Sequence, residues 1–191
     1  MVNVFIVHGT YGNPGENWIP WLKSELEKDG YGVVVPKFPT PENQNLDAWM
    51  RVFSLHLDEI KSDSILIGHS LGCAFLLNLL QRESINVGTV ILVAGFIGKL
   101  GIEELDFLNA DIADVEFNFK LIKHNANKFI LFNSFDDPYI PIDKAFDLQR
   151  ELDGELHLVK NAGHFNSESG YKKFEKLKEY IINFTPNQKE R

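Results

Sequence analysis

The sequence predicts an α/β fold in which one mainly parallel sheet of six strands has helices on both faces. Short β-branched runs alternate with longer segments of helical period, which is typical of βαβ units. Some of these runs, such as 64–68, are almost continuously apolar, as expected of parallel strands buried on both faces. Gly30 and Gly154 stand where helices should end, and they help to separate the alternating segments.

The predicted elements follow one another along nearly the whole chain. Strands are expected at 2–7, 32–35, 64–68, 89–93, 129–133 and 155–159. Helices are expected at 18–29, 46–60, 71–82, 143–152 and 171–184. Pro36, Pro39 and Pro41 mark a loop after the second strand. We expect the strand order 2-1-3-4-5-6 of a doubly wound sheet.

The chain is long enough to bury one sizeable core. Its 191 residues are 44% hydrophobic, and neither a repeat nor a linker divides them. We expect a single domain over 1–185, followed by a polar tail over 186–191. The stretch 96–127 is longer than a single helical crossover and lacks one clean period, so we interpret it as a small cap.

Charge and cysteine content narrow the class of protein. The formal charge of −8 is spread without a basic block, which works against binding to nucleic acid or to an anionic membrane. The sequence shows no secretory signal and no apolar run long enough to cross a membrane. The single Cys73 can form neither an internal disulfide nor a zinc cluster. We therefore expect a cytoplasmic protein that binds neither nucleic acid nor membranes.

The segment 68–72, with the sequence GHSLG, matches the G-x-S-x-G pattern of a nucleophilic serine. It follows an apolar strand directly and opens an apolar helix, which is the strand–turn–helix setting that the pattern requires. Such a sharp turn holds the serine in a strained conformation at the positive end of a helix. Ser70 is therefore the candidate nucleophile.

A nucleophilic serine needs a general base, and the base needs a carboxylate that orients it. In the chain order expected for this pattern, the acid follows a later strand and the histidine follows the last one. Asp137 follows the strand 129–133, and His164 follows the strand 155–159. We prefer Asp137 to the neighbouring Asp136, which we interpret as a turn or supporting residue.

Other residues fit these roles less well. Cys73 lies three residues into the predicted helix and is expected to pack as a small apolar group. The side chain of His69 is expected to point away from Ser70. The other histidines are explained by their positions in predicted elements: His56 in a helix, His124 in the cap and His157 in a strand.

Attack on a carbonyl creates a negatively charged oxygen that two backbone N–H groups should stabilise. Leu71, directly after the candidate nucleophile, offers one of them at the start of a helix. The loop after the first strand, HGTYG at 8–12, offers the other, and we choose the N–H of Thr10. The predicted strand order brings both loops to the switch point of the sheet. His8 is expected to buttress this loop.

The combination of these motifs resembles the YdeN-like small serine hydrolases of the α/β-hydrolase superfamily. The resemblance is carried by the segments 8–12, 68–72 and 163–165, by Trp18 and Trp21, and by Asp136-Asp137-Pro138. It spans nearly the whole chain. It implies a compact α/β-hydrolase in which Ser70, Asp137 and His164 form the catalytic triad. It also implies hydrolysis of carboxylic esters, and of small amides.

The substrate pocket is harder to predict than the triad. Aromatic residues in the loops are candidates for an apolar acyl pocket, although each also fits a place in the core: Tyr11, Trp18, Phe96 and Phe165. A short cap suits a small or medium acyl group. The sequence lacks the H-E-x-x-H and G-x-x-x-x-G-K-[ST] patterns, and the predicted chemistry requires no cofactor and no metal.

Two other functions remain open at this stage. The same triad also serves a thioesterase or an acyltransferase, because the motifs specify acyl transfer but neither the leaving group nor the acceptor. A binding or regulatory protein that keeps a hydrolase fold without turnover is the alternative from another class. The sequence identifies no macromolecular partner.

Overall fold

The computed structural model describes residues 1–184 and contains one sheet of six strands. The strands are β1 (Asn3–Val7), β2 (Gly32–Val34), β3 (Ile65–His69), β4 (Val87–Val93), β5 (Ala126–Asn133) and β6 (Glu155–Leu158). Their order is β2-β1-β3-β4-β5-β6, and each neighbouring pair runs parallel. The predicted fold class and strand order are therefore confirmed.

Seven α-helices connect and follow the strands in the described part of the chain. They are α1 (Ile19–Lys28), α2 (Leu46–Ser54), α3 (Leu71–Arg82), α4 (Glu103–Ala113), α5 (Phe119–His124), α6 (Ile142–Leu152) and α7 (Glu175–Phe184). Two are shorter than predicted by more than a residue at one end: α7 begins four residues later than expected, at Glu175, and α2 ends at Ser54 and is followed by a 3₁₀ turn at Leu57–Glu59. Within residues 1–184 no helix has both the length and the apolar character needed to cross a membrane.

The central strands of the sheet are buried on both faces because they carry apolar side chains at successive positions. In β1, Phe5 and Val7 belong to one core cluster, whereas Val4 and Ile6 belong to the other. The helices α2 to α6 contribute to the first cluster, and α1 and α7 contribute to the second. This arrangement leaves the loops at the carboxyl ends of the strands to form a site.

The predicted cap at 96–127 contains the helices α4 and α5. It extends too far at its end, because β5 already begins at Ala126, where the chain pairs with Val87 of β4. The side-chain amide of Asn78, buried in α3, donates a hydrogen bond of 2.8 Å to the carbonyl of Ile112 in α4. This bond fastens the cap to the core. The predicted polar tail at 186–191 lies outside the described residues.

Candidate active site

Ser70 lies in the turn between β3 and α3. Its backbone has φ 56° and ψ −123°, a conformation that non-glycine residues rarely adopt. Two backbone hydrogen bonds hold the turn: the N–H of Ser70 donates to Val93 at 2.9 Å, and Ser70 accepts from the N–H of Cys73 at 3.0 Å. The strain expected from the GHSLG pattern is thus present, and strain of this kind is often found at functional sites.

Glycines are needed around Ser70 because backbone segments approach one another closely there. A Cβ on Gly68 would lie 2.7 Å from the backbone nitrogen of Cys73, and a Cβ on Gly72 would lie 2.4 Å from the carbonyl oxygen of Val7. A Cβ on Gly9 would lie 2.8 Å from the Cβ of Ser70. The glycines of both motifs therefore let β1, β3 and α3 meet at the serine.

Replacement of Gly72 by alanine is expected to lower the free energy of unfolding by about 3 kcal/mol, as overpacking against a rigid backbone does. The added Cβ would meet the backbone carbonyl oxygens of Val7 and His8 at 2.4 and 2.7 Å, and backbone atoms shift less readily than the end of a flexible side chain. Gly15→Ala is the control, because its Cβ would meet only a side-chain oxygen of Asn13, at 3.2 Å. Urea unfolding of both variants checks this; equal stabilities would contradict it.

His164 and Asp137 come from the loops after β6 and β5 and form a hydrogen-bonded pair. Nδ1 of His164 lies 2.8 Å from Oδ2 of Asp137, whose side chain is 2% exposed. The other carboxylate oxygen, Oδ1, accepts the backbone N–H groups of Tyr139 and Ile140 at 2.9 and 3.1 Å. The carboxylate is therefore fixed in place, and Nε2 is the ring nitrogen of His164 that the carboxylate does not contact.

Asp136 has a different set of partners from its neighbour. It accepts hydrogen bonds from the hydroxyl of Ser134 and, at 3.3 Å, from the backbone N–H of Gly163. These bonds, led by the one from Ser134, lower the pKa of the carboxyl group. Asp136 thus ties the loop after β5 to the loop that carries His164.

His69 lies closer to the site than the sequence analysis expected. Its ring lines the cavity that contains Ser70, and its Nε2 donates a hydrogen bond of 2.9 Å to the backbone carbonyl of His164. Burial, together with the nearby His164, lowers the pKa of His69 from the usual 6.5 to about 3. A neutral His69 therefore supports the backbone of the histidine loop. The strand–turn–helix motif specifies no role for the residue before the serine, so this contact could not be predicted.

The depressed pKa of His69 predicts that acidification destabilises the fold. Between about pH 6.5 and pH 3 the unfolded chain binds a proton at His69 that the folded chain does not. The contribution of neutral His69 to the free energy of unfolding is therefore complete above pH 6.5, and it is lost as the pH falls toward 3. We expect the Tm to fall between pH 7.5 and 5.0, and to fall less in His69→Gln. Equal pH dependence of the two proteins in thermal unfolding would contradict this.

The loop after β1 lies beside Ser70 and is held by His8. Nε2 of His8 accepts the backbone N–H of Phe38 at 3.0 Å, so the proton of the neutral ring lies on Nδ1, which is 3.0 Å from the carbonyl oxygen of Gly9. Burial lowers the pKa of His8 and favours this neutral form. The carbonyl of Gly9 also accepts the N–H of Gly12 at 3.1 Å. The Gly9 carbonyl thus accepts two hydrogen bonds. Because this carbonyl and the Thr10 N–H belong to the same planar peptide group, the orientation of that N–H is fixed as well.

The two amides predicted to stabilise an oxyanion remain available. Within residues 1–184, neither the N–H of Thr10 nor that of Leu71 donates to a protein acceptor. Leu71 is the first residue of α3, where the helix leaves N–H groups without intrahelical partners. Both amides thus keep the donor capacity that the predicted role requires.

A cavity of about 630 Å³ opens at Ser70 and His164. Its lining includes Ser70, His164, His69, Thr10 and Tyr11. The cap contributes an apolar wall of Leu100, Ile102 and Leu105. Ile140, from the loop after β5, also belongs to this wall. The size is in the range of pockets for small molecules.

The structure corrects three of the four predicted substrate-binding residues. Tyr11 lines the cavity, as expected, and is half exposed. Trp18, Phe96 and Phe165 have at most 1% of their surface exposed and pack in the two core clusters instead. The gain from burying such large aromatic rings explains their placement. The apolar wall is formed by aliphatic residues of the cap.

The described residues offer neither a reactive thiol nor a cluster of metal ligands. Cys73 is fully buried in α3, and burial strongly raises the pKa of its thiol, so the nucleophilic thiolate is disfavoured. Within residues 1–184, no group of three or more histidine, cysteine or acidic side chains is arranged to hold a metal ion.

A parallel sheet with this strand order, with a strained serine at the turn from β3 into α3, is typical of the α/β-hydrolase fold. Residues 4–183 match the family model described as serine hydrolase, and the chain belongs to this family.

Relatives agree with this assignment in sequence and in fold. YdeN of Bacillus subtilis (strain 168) is 30% identical over 171 residues, which are 88% of each protein. The crystal structure of that gene product superimposes with a TM-score of 0.89 and covers 96% of this chain and 98% of its own. The serine hydrolase RBBP9 of Rattus norvegicus is 28% identical over 78% of each protein. The resemblance seen in the sequence is thus confirmed.

Proposed function

We propose that the protein hydrolyses small to medium carboxylic esters, and small amides, through an acyl-enzyme on Ser70. One observation carries the proposal: His164, hydrogen-bonded to the buried Asp137, lines the same cavity as Ser70. A serine becomes a useful nucleophile when a base within reach takes its proton, and the carboxylate keeps that base in the correct tautomer.

In the proposed mechanism, Oγ of Ser70 attacks the acyl carbon while Nε2 of His164 takes the hydroxyl proton. The tetrahedral intermediate then collapses, and the leaving alcohol or amine departs with the proton from His164. A water molecule next gives a proton to His164 and attacks the acyl-enzyme. Collapse of the second intermediate releases the carboxylic acid and returns the proton to Ser70. The chemistry needs no cofactor.

The oxyanion of both intermediates is proposed to bind the N–H groups of Leu71 and Thr10. The free donors on these two residues support the assignment, as does the close approach of Gly9 to Ser70. Removing one donor from such a site typically costs about 2.7 to 4 kcal/mol of transition-state stabilisation. The proposed acyl pocket is the cap wall of Leu100, Ile102 and Leu105.

Labelling with a fluorophosphonate probe tests the proposed function. The wild-type protein should react, and mass spectrometry should map the adduct to Ser70. His164→Ala and Ser70→Ala, shown to be folded by circular dichroism, should not react. A folded wild-type protein that fails to label would contradict the proposal. Parallel assays with esters, amides and thioesters that share one acyl group would then rank the leaving groups.

The charge of the cavity predicts a preference among esters. Its lining contains three exposed glutamates, Glu16, Glu104 and Glu168, and within the described residues it contains neither lysine nor arginine. We expect kcat/KM for an anionic ester, such as a monosuccinate, to be lower than for a neutral ester of equal length by about 10-fold. Added salt should narrow the difference. A rate that is the same for both esters at low salt would contradict this.

A further inference from the structure

A buried polar cluster joins the loop after β1 to the cap. We name it the Thr10 clamp; it consists of Thr10, Gln44 and Asn109. The hydroxyl of Thr10 donates to Oδ1 of Asn109 at 2.6 Å. Nε2 of Gln44 donates to the same oxygen at 3.0 Å and to the hydroxyl of Thr10 at 3.3 Å. Each side chain thus contacts the other two.

Further hydrogen bonds connect Gln44 to the cap helix α4 and, through Thr40, to the loop after β1. Nε2 of Gln44 also donates to the carbonyl of Leu108 in α4, at 2.8 Å. Its Oε1 accepts the hydroxyl of Thr40 at 2.5 Å, and that hydroxyl accepts the backbone N–H of Tyr11 at 2.7 Å. Residue 10 is therefore held through its side chain, and residue 11 is held through its backbone.

The burial of the clamp makes its geometry specific. Asn109 is 4% exposed and Gln44 is 9% exposed. Buried amides are costly unless they are hydrogen-bonded, so these side chains favour one arrangement over others of similar compactness. Asn109 comes from the cap helix α4, whereas Gln44 precedes α2. The arrangement therefore links two separate segments to the loop beside Ser70.

We infer that the Thr10 clamp positions the Thr10 N–H for the oxyanion, which makes Gln44 and Asn109 positioning residues. The inference rests on the proposed function. A donor must meet the oxyanion at hydrogen-bond distance, and a misplacement of about 1 Å can cost about 100-fold in rate. Because this bond strengthens only as negative charge develops, loss of the clamp should lower kcat and leave KM nearly unchanged.

The sharpest test compares two variants of Thr10. Thr10→Val keeps the branched shape and the backbone N–H but removes the hydroxyl, whereas Thr10→Ser keeps the hydroxyl. With p-nitrophenyl acetate, we expect Thr10→Val to lower kcat by about 10- to 100-fold with KM within about threefold. Thr10→Ser, which restores the hydroxyl, should recover most of the kcat that Thr10→Val loses. Asn109→Leu should resemble Thr10→Val, and the double variant should lose little more, because both changes break one unit.

Asn78→Leu is the matched control. Asn78 is a buried amide that also fastens α4, through Ile112, but it does not touch the clamp. It should lower the Tm and keep kcat within about threefold of wild type. A folded Thr10→Val with the kcat of wild type would overturn the inference. An equal loss of kcat in Asn78→Leu would also overturn it, because the cause would then be a loosened cap.

The design separates failure of the clamp from failure of the proposed function. If the wild-type protein neither labels with a fluorophosphonate nor hydrolyses any ester, the proposed function is wrong, and so is the inference about the clamp that rests on it. If wild type labels at Ser70 and Thr10→Val and Asn109→Leu match it in kcat, only the clamp fails. If Asn109→Leu does not fold, the comparison between Thr10→Val and Thr10→Ser still decides.

Discussion

Replacement of Ser70 by alanine is expected to lower kcat/KM for a p-nitrophenyl ester by at least about 10⁴-fold. The change removes the oxygen that is proposed to form the acyl-enzyme, and Cys73, the other candidate nucleophile, is not expected to replace it. The nearby thiol of Cys73 is buried, and its raised pKa disfavours the thiolate. Activity is measured under steady-state conditions with protein that shows no contaminating esterase.

The same substitution should leave the fold intact. The turn is held by backbone bonds at Ser70, which alanine also makes, so we expect the free energy of unfolding to change by less than about 1 kcal/mol. Cys73→Ala is the control, since it removes the other candidate nucleophile. It should cost some stability and keep the activity. A loss of activity in Cys73→Ala together with retention in Ser70→Ala would reverse the assignment of the nucleophile.

The parts of the fold and site that could be predicted are those with a local signal. Most strands are short apolar runs, and each triad candidate lies in the turn or loop that follows a strand. The largest error in a strand start is at β5, which begins at Ala126 and not at 129. Its first residues include the polar Asn127 and Lys128, and their place in the sheet depends on pairing with β4. The single domain and the cytoplasmic location stay predictions.

The lining of the cavity and the Thr10 clamp could not be predicted, because they depend on contacts between residues that are far apart in the sequence. Trp18, Phe96 and Phe165 lie in segments near the site, yet burial in the core clusters takes them away from the cavity. Gln44 and Asn109 contact each other across 65 positions of sequence, and neither lies in a recognisable motif. A hydrophobic pattern indicates that a side chain is buried, but it does not indicate which polar partner a buried amide will meet.

Asp137→Asn is expected to lower kcat by about 10⁴-fold with the fold preserved. Oδ1 of Asp137 accepts two backbone N–H groups, so the oxygen of an asparagine would occupy that position. The amide nitrogen would then face Nδ1 of His164 and donate to it. The ring would carry its proton on Nε2, and a protonated Nε2 cannot take the proton of Ser70.

Asp136→Asn is the matched control, because an asparagine there can still accept a hydrogen bond from Ser134 or Gly163. We expect its kcat to stay within about 10-fold of wild type, since Asp136 acts through the loop and not on the imidazole ring. Both variants are compared in kcat and in Tm. A larger loss of kcat in Asp136→Asn would assign the orienting carboxylate to Asp136. The bond of 2.8 Å between Asp137 and His164 favours the opposite result.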